Sequence, residues 1–329
     1  MIGLVYGTRP EYIKLTPLLK ELNILGVKYL LFQVCQHTTL IDSCSYDYTI
    51  PVKPLTSNRL NDIVASVGEY SFPPEVSFLL VQGDTTTAMA AALNAFNNNI
   101  PVIHLEAGLR TDDKANPYPE EINRRLISTI ATVHYCPTEL NKINLIREGY
   151  IRDDILVTGN TGIDNIKDLK VSRTNEIIVT LHRREKWEEM DSWYKIIDSL
   201  AQDWPSYSFV FPMHPSPEVR KHKDLLKHVK VIEPLDYTEM QQRLASCAMV
   251  ITDSGGIQEE CSFLKKWCMV CRKKTERPCR AGVICDHPHA LLANFPRYIN
   301  RSDRELGDNT IFGNGNAGKR IIEDLLRRI

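Results

Sequence analysis

The chain lacks any apolar run near the ~20 residues that a membrane-spanning helix needs. Its start, MIGLVYGTRPEY, has no basic region leading into a long apolar one, so no secretory signal is expected. Net charge is lacking too: 40 Lys and Arg stand against 41 Asp and Glu, a formal −1. That balance excludes a global basic field for nucleic acid or an anionic membrane. Aromatics are not interleaved with basic runs, as single-strand binders require. No HExxH and no Ser-His-Asp order stands out, and the Gly318-Lys319 pair lacks the Ser or Thr that completes a P-loop. Paired zinc knuckles are missing as well. Nine cysteines form an odd count, and the cluster Cys268, Cys271, Cys279 and Cys285 contains a single C-x-x-C. KWCMVC therefore reads as a buried strand in which Cys replaces small apolar residues, and no metal is expected. Reduced thiols in a cytoplasmic compartment are the simplest reading.

What is present is a rhythm. The 329 residues are enough for two domains with a core each. IGLVYG, YLLFQV, SFLLVQ, PVIHL, VHYCP and ILVTG alternate with helical patterns, as in a parallel sheet. After the charged stretch KDLKVSRTNE the rhythm restarts with IIVTL, SFVFPM, VKVIE, AMVIT and WCMVC. The expected architecture is α/β, with two doubly wound, Rossmann-like domains (1–168 and 169–329) whose parallel sheets face a central cleft. Ligands in such sheets bind beyond the carboxyl ends of the strands. In the tail, Gly313-Asn-Gly315-Asn-Ala-Gly318 matches GxGxxG without the βαβ unit that the dinucleotide fingerprint requires. It reads as a turn before a helix that closes the second domain, with Ile321, Ile322, Leu325, Leu326 and Ile329 on one side.

Polar groups collect where strands end. In VITDSGGIQEE, Ser254, Gly255 and Gly256 stand between a strand and a helix. Such a turn either cradles an anion on exposed N–H groups or is a tight turn with a Ser or Asp cap. Glu260, one turn on, is placed for ribose hydroxyls. GTRPEYIK puts Arg9 after the first strand and Lys14 on the next helix, both candidate anion ligands. QGDTTT places Asp84, and HLEAGLR places Glu106, at the ends of successive strands; YPEEINRR adds Glu120 and Glu121. Any one of these is read as a cap or a solvated acid, and Asp84 can cap its own helix. Carboxylates gathered in one cleft instead divide acid and base roles. TLHRRE places His182, Arg183 and Arg184 where a diphosphate leaving group is served, and MHPSP places His214 as a weaker candidate.

Read in order, GTRPE, GDTTT, HLEAGLR, PEEINRR, TGNT, HRRE, TDSGGIQEE and TERP closely resemble the non-hydrolysing UDP-N-acetylglucosamine 2-epimerase family. The resemblance runs from Gly7 to the carboxy-terminal helix. It implies a GT-B-like fold and a UDP-sugar substrate. It implies UDP contacts at Arg9, Ser254, Gly255, Gly256 and Glu260; Lys14 and Arg184 join them as candidate substrate-binding residues on their positions alone. Asp84, Glu106 and Glu120 become acid–base groups, with His182 near the diphosphate. No redox cofactor is implied, and a homodimer is. The chemistry it implies is removal of the C2 proton as UDP departs, giving 2-acetamidoglucal, then re-addition of UDP after protonation on the opposite face. The chain departs from the family at Thr38, where bacterial members carry Arg, in the short segment that follows, and at Cys279 after TERP. The first two departures predict simple saturation kinetics without an activator. A UDP-2-acetamido-2,6-dideoxyhexose is the alternative substrate. A GT-B glycosyltransferase and an inactive UDP-sugar sensor are the competing classes.

Overall fold

The computed structural model describes residues 1–35, 44–277, 281–307 and 310–328. The chain divides into two compact units, Met1–Asn165 with Gly313–Ile329, and Ile166–Phe312. The first holds strands β1 (Ile2–Tyr6), β2 (Tyr29–Cys35), β3 (Tyr48–Pro51), β4 (Phe78–Gln82), β5 (Val102–Leu105), β6 (Val133–Cys136) and β7 (Ile155–Val157). Their order is β3-β2-β1-β4-β5-β6-β7, all parallel. The second holds β8 (Glu176–Thr180), β9 (Ser208–Pro212), β10 (Lys230–Ile232), β11 (Met249–Thr252), β12 (Cys268–Val270) and β13 (Gly282–Ile284), ordered β10-β9-β8-β11-β12-β13 and again parallel. Strands buried on both faces need unbroken apolar runs, which is why IGLVY, FLLVQ and MVIT are so easily read.

Both sheets reverse direction of growth at one place, between β1 and β4 in the first and between β8 and β11 in the second. At such a switch point the connections leave to opposite sides and open a crevice at the strand carboxyl ends. GTRPE and GDTTT flank the first switch point; LHRRE and DSGG flank the second.

The tail differs from expectation. Ala317–Arg328 clusters with the first unit and not with the second. Its Ile321, Ile322 and Leu325 join Leu15, Leu18, Leu19 and Leu22 of helix Arg9–Ile24 in one core. Asp164 accepts from the N–H groups of Ala317 at 3.0 Å and Gly318 at 2.8 Å, capping the helix start. A Cβ on Gly318 would stand 3.0 Å from the Pro17 backbone. Glycine there serves a helix–helix approach. The cysteine-rich stretch follows the strand reading: Cys268 lies in β12, and it and Cys271 are buried.

Candidate active site

In the first unit a buried acid ties the switch point together. Glu11 accepts from Gly7 N at 3.0 Å, Thr8 Oγ1 at 2.8 Å and Thr85 Oγ1 at 2.6 Å, linking the ends of β1 and β4. Burial raises its carboxyl above the ordinary range, against the pull of those hydrogen bonds. Thr85 also caps helix Thr86–Asn97 by accepting from Ala88 N at 3.0 Å. Asp84 is thereby released from the capping role that sequence allowed it. Its carboxylate meets Arg124 of helix Glu120–Ile130, and its carbonyl accepts from Asn123 Nδ2 at 3.0 Å.

Glu106 sits at the end of β5 with φ +60°, a left-handed conformation that side-chain-bearing residues rarely adopt. Strain of this kind is held at sites of function by the surrounding structure, at roughly 1–3 kcal/mol. The carboxylate is bound by Lys14 Nζ and by Gln82 Nε2, the latter at 2.6 Å. Lys14, Asp84 and Glu106 therefore gather at the carboxyl edge of β1, β4 and β5. Each of the two carboxylates has its own cation, an arrangement that orients it by a charge-assisted hydrogen bond. Arg9 opens the first helix, half-buried, with its charge felt at the Cys44 thiol. Glu120 starts the helix that carries Arg124 and is half-buried. Its neighbour Glu121 is structural: fully buried, it accepts from Thr111 N at 3.0 Å and Asp112 N at 3.2 Å and pairs with Arg124 and Arg125.

The second unit repeats the device. Asp253, fully buried, accepts from the N–H groups of His182 and Arg183, each at 2.9 Å, and its other oxygen lies 3.2 Å from His182 Nδ1. Thr180 and Thr252, in register across β8 and β11, share a hydroxyl hydrogen bond of 2.5 Å, and Ser254 N donates to Thr252 Oγ1 at 3.0 Å. Ser254 is the N-cap of helix Gly255–Phe263. The Gly255 and Gly256 N–H groups are among those at a helix start that have no intrahelical acceptor.

The two glycines leave space for different things. A Cβ on Gly255 would stand 2.4 Å from the Arg277 guanidinium, whereas one on Gly256 would meet nothing within 4 Å. Arg277 donates from Nε to Glu259 Oε1 at 2.7 Å and also pairs with Glu276, which pairs with Arg272 at 3.1 Å. Gly255 thus makes room for the protein's own cation, and Gly256 for whatever approaches from outside. Glu260, further along, accepts from Gln241 Nε2 at 2.9 Å. The rings of His182 and His214 are stacked, with centroids 5.8 Å apart and planes at 18°. Ser216 N donates to His214 Nδ1 at 3.1 Å, which leaves the neutral ring's proton on Nε2. Desolvation, reinforced by His182 and Arg220, lowers the His214 pKa.

Four participants escaped the sequence reading: Glu11, Arg124, Asp253 and Arg277. All stand inside quoted motifs, GTRPE, PEEINRR, TDSGG and TERP, but only packing shows which member of each faces a strand end. Thr38 and Cys279 lie outside the described residues, as does the side chain of Arg184, whose backbone opens the 3-10 turn Arg184–Glu189.

Two all-parallel sheets in Rossmann order, with polar staples at both switch points, define a GT-B-like enzyme of two units. A family model described as UDP-N-acetylglucosamine 2-epimerase matches residues 43–326, and the chain belongs to that family. The chain is 36% identical to the UDP-N-acetylglucosamine 2-epimerase of Neisseria meningitidis, covering 98% of each. With that of Bacillus subtilis it shares 34%, covering 98% of this chain and 94% of the relative. The crystal structure of the Neisseria meningitidis enzyme bound to UDP-GlcNAc matches with a TM-score of 0.87 at 33% identity over 99% of both chains. The Methanocaldococcus jannaschii enzyme, in complex with UDP-GlcNAc and UDP, matches at 0.85, with 28% identity over 99% of both.

Proposed function

We propose that this chain, an isomerase of the UDP-N-acetylglucosamine 2-epimerase family, interconverts UDP-GlcNAc and UDP-ManNAc. The observation that carries the reading is the pair of separately held carboxylates at neighbouring strand ends, Asp84 on Arg124 and Glu106 on Lys14 and Gln82. Inverting a carbon that bears a weakly acidic proton requires proton removal on one face and delivery on the other. Asp84, Glu106 and Glu120 are the groups assigned to that task. In the forward step the C2–H bond breaks, C1=C2 forms, and the C1–O bond breaks with its electron pair leaving on UDP. The reverse step adds a proton to C2 and UDP to C1, so the cycle is redox-neutral and needs no electron acceptor.

The departing diphosphate carries the charge that develops, and stabilising it supplies the larger share of the barrier reduction. The second unit is assigned that role, through the N–H groups at Gly255 and Gly256, with Ser254, His182 and Arg184. Glu260 is assigned to the ribose, and Arg9 and Lys14 to substrate binding from the first unit. Acid–base groups contribute about 10²–10⁴-fold.

The test is incubation with UDP-GlcNAc alone in deuterated water, followed by NMR. UDP-ManNAc carrying deuterium at C2 is the expected product. Epimerised product that keeps its original hydrogen would remove elimination from the mechanism. Absence of turnover without an acceptor would favour a glycosyltransferase or a sensor. Parallel kcat/KM values for the 6-deoxy sugar decide the substrate; a tenfold preference for it would replace UDP-GlcNAc and leave the mechanism intact.

A further inference from the structure

The turn that presents Asp84 is held from β5 by two contacts. Gly83, with φ +70°, donates its N–H to Leu105 O at 3.0 Å. Its carbonyl lies 2.8 Å from Nε2 of His104, one residue earlier on the same strand. His104 is fully buried, in register with Val81 on β4 and with His134 on β6. Its Nδ1 has no hydrogen-bond partner among the described residues. A carbonyl only accepts, so the contact requires the proton on Nε2. Burial, helped by the nearby His134 and Arg110 charges and opposed by Gly83 and Asp84, lowers the His104 pKa to about 3. The ring is therefore neutral around neutral pH, with its one proton on Nε2, where the Gly83 carbonyl accepts it.

We propose that His104 is a positioning residue: its Nε2–H holds the Gly83 carbonyl and thereby sets the aim of the Asp84 carboxylate that follows. Without the donor the partly buried carbonyl loses its partner, and the left-handed turn relaxes to find another. Asp84 then moves relative to Arg124 and to the reacting carbon. Misplacement by about 1 Å costs on the order of 10²-fold in rate. Nucleotide binding is spared, because Ser254, Gly255, Gly256 and Glu260 belong to the other unit, and Arg9, at the start of helix Arg9–Ile24, is carried neither by the Gly83–Asp84 turn nor by β5. The inference rests on the acid–base role proposed above for Asp84.

The test compares wild type, His104→Leu and His104→Gln. Leucine fills the volume without a donor; the glutamine amide N–H reaches about as far as Nε2. His104→Leu is expected to lose roughly 10–10² in kcat, with KM and UDP affinity by calorimetry unchanged. His104→Gln is expected to recover most of the loss. An unaffected leucine variant, a glutamine variant as impaired as leucine, or a parallel loss of UDP affinity would each overturn the proposal. Nitrogen NMR of the ¹⁵N-histidine-labelled wild type adds a reading that depends on neither variant. One buried histidine should remain the neutral Nε2–H tautomer across neutral pH and vanish in the variants. An Nδ1–H tautomer there would overturn the proposal. A wild type inactive on UDP-GlcNAc sinks the functional reading and this role with it, whereas an active wild type beside an unimpaired leucine variant sinks only this role.

Discussion

Asp84 shows how one side chain is assigned by its neighbours. In sequence it stands where a helix cap belongs. In the structure Thr85 caps the helix, and the Asp84 carboxylate is held by Arg124. Arg124 keeps Glu121 as a second partner, so neutralising Asp84 does not strand a buried charge. Asp84→Asn is therefore expected to fold normally and bind UDP as wild type does, while kcat falls by about 10²–10⁴. Calorimetry with UDP and NMR assay of epimerisation check the two halves. Equal losses in affinity and rate would make Asp84 a binding group. Glu11 and Asp253 teach the complementary lesson. Each is a buried acid whose carboxylate accepts from N–H or hydroxyl groups at a switch point: Glu11 lies within its helix, and Asp253, although it directly follows β11, stands in a turn that reads equally as a simple cap.

At the scale of one element, the start of helix Gly255–Phe263 contains two glycines with opposite reasons for existing. Arg277 occupies the space at Gly255 and is pinned by Glu259 and Glu276, so it cannot yield easily. Gly255→Ala is expected to destabilise the second unit by about 1–3 kcal/mol, the usual cost of overpacking. Gly256 faces open space in a helical turn. Gly256→Ala is expected to gain up to about 1 kcal/mol from helix propensity while weakening UDP binding, because the methyl would stand in the open space assigned to the phosphate. Urea unfolding and UDP titration of both variants separate the cases. A stabilised Gly256→Ala enzyme with unchanged UDP affinity would place the cradle elsewhere.

For the whole molecule, the chain returns to its first unit after completing its second. Helix Ala317–Arg328 buries Ile321, Ile322 and Leu325 against helix Arg9–Ile24, the helix that carries Lys14. Ending the chain after Phe312 exposes that apolar face. Amide exchange is expected to accelerate through β1 and helix Arg9–Ile24, with the β8–β11 core of the second unit keeping its protection. Loss of protection confined to the second unit would return the helix to the place that sequence order suggested.

Both sheets were legible before any coordinates, because a strand buried on two faces must be an unbroken apolar run, and a run is a local property. The polar motifs that follow those runs were legible for the same reason, and so was the family they resemble. Two strands left no such signature: β3, Tyr48–Pro51, has one buried residue among four, and β13, Gly282–Ile284, has none. Pairings between distant residues left none either. Arg124 reaches Asp84 across 40 positions, Arg277 fills the space at Gly255, and Asp164 caps a helix more than 150 residues later. Local periodicity says which face of an element is apolar. It does not say which other element covers that face, nor which of several acids in one motif turns toward the strand end. Those choices belong to packing, and they separated the acids that hold the turns from those to which the proposal assigns chemistry.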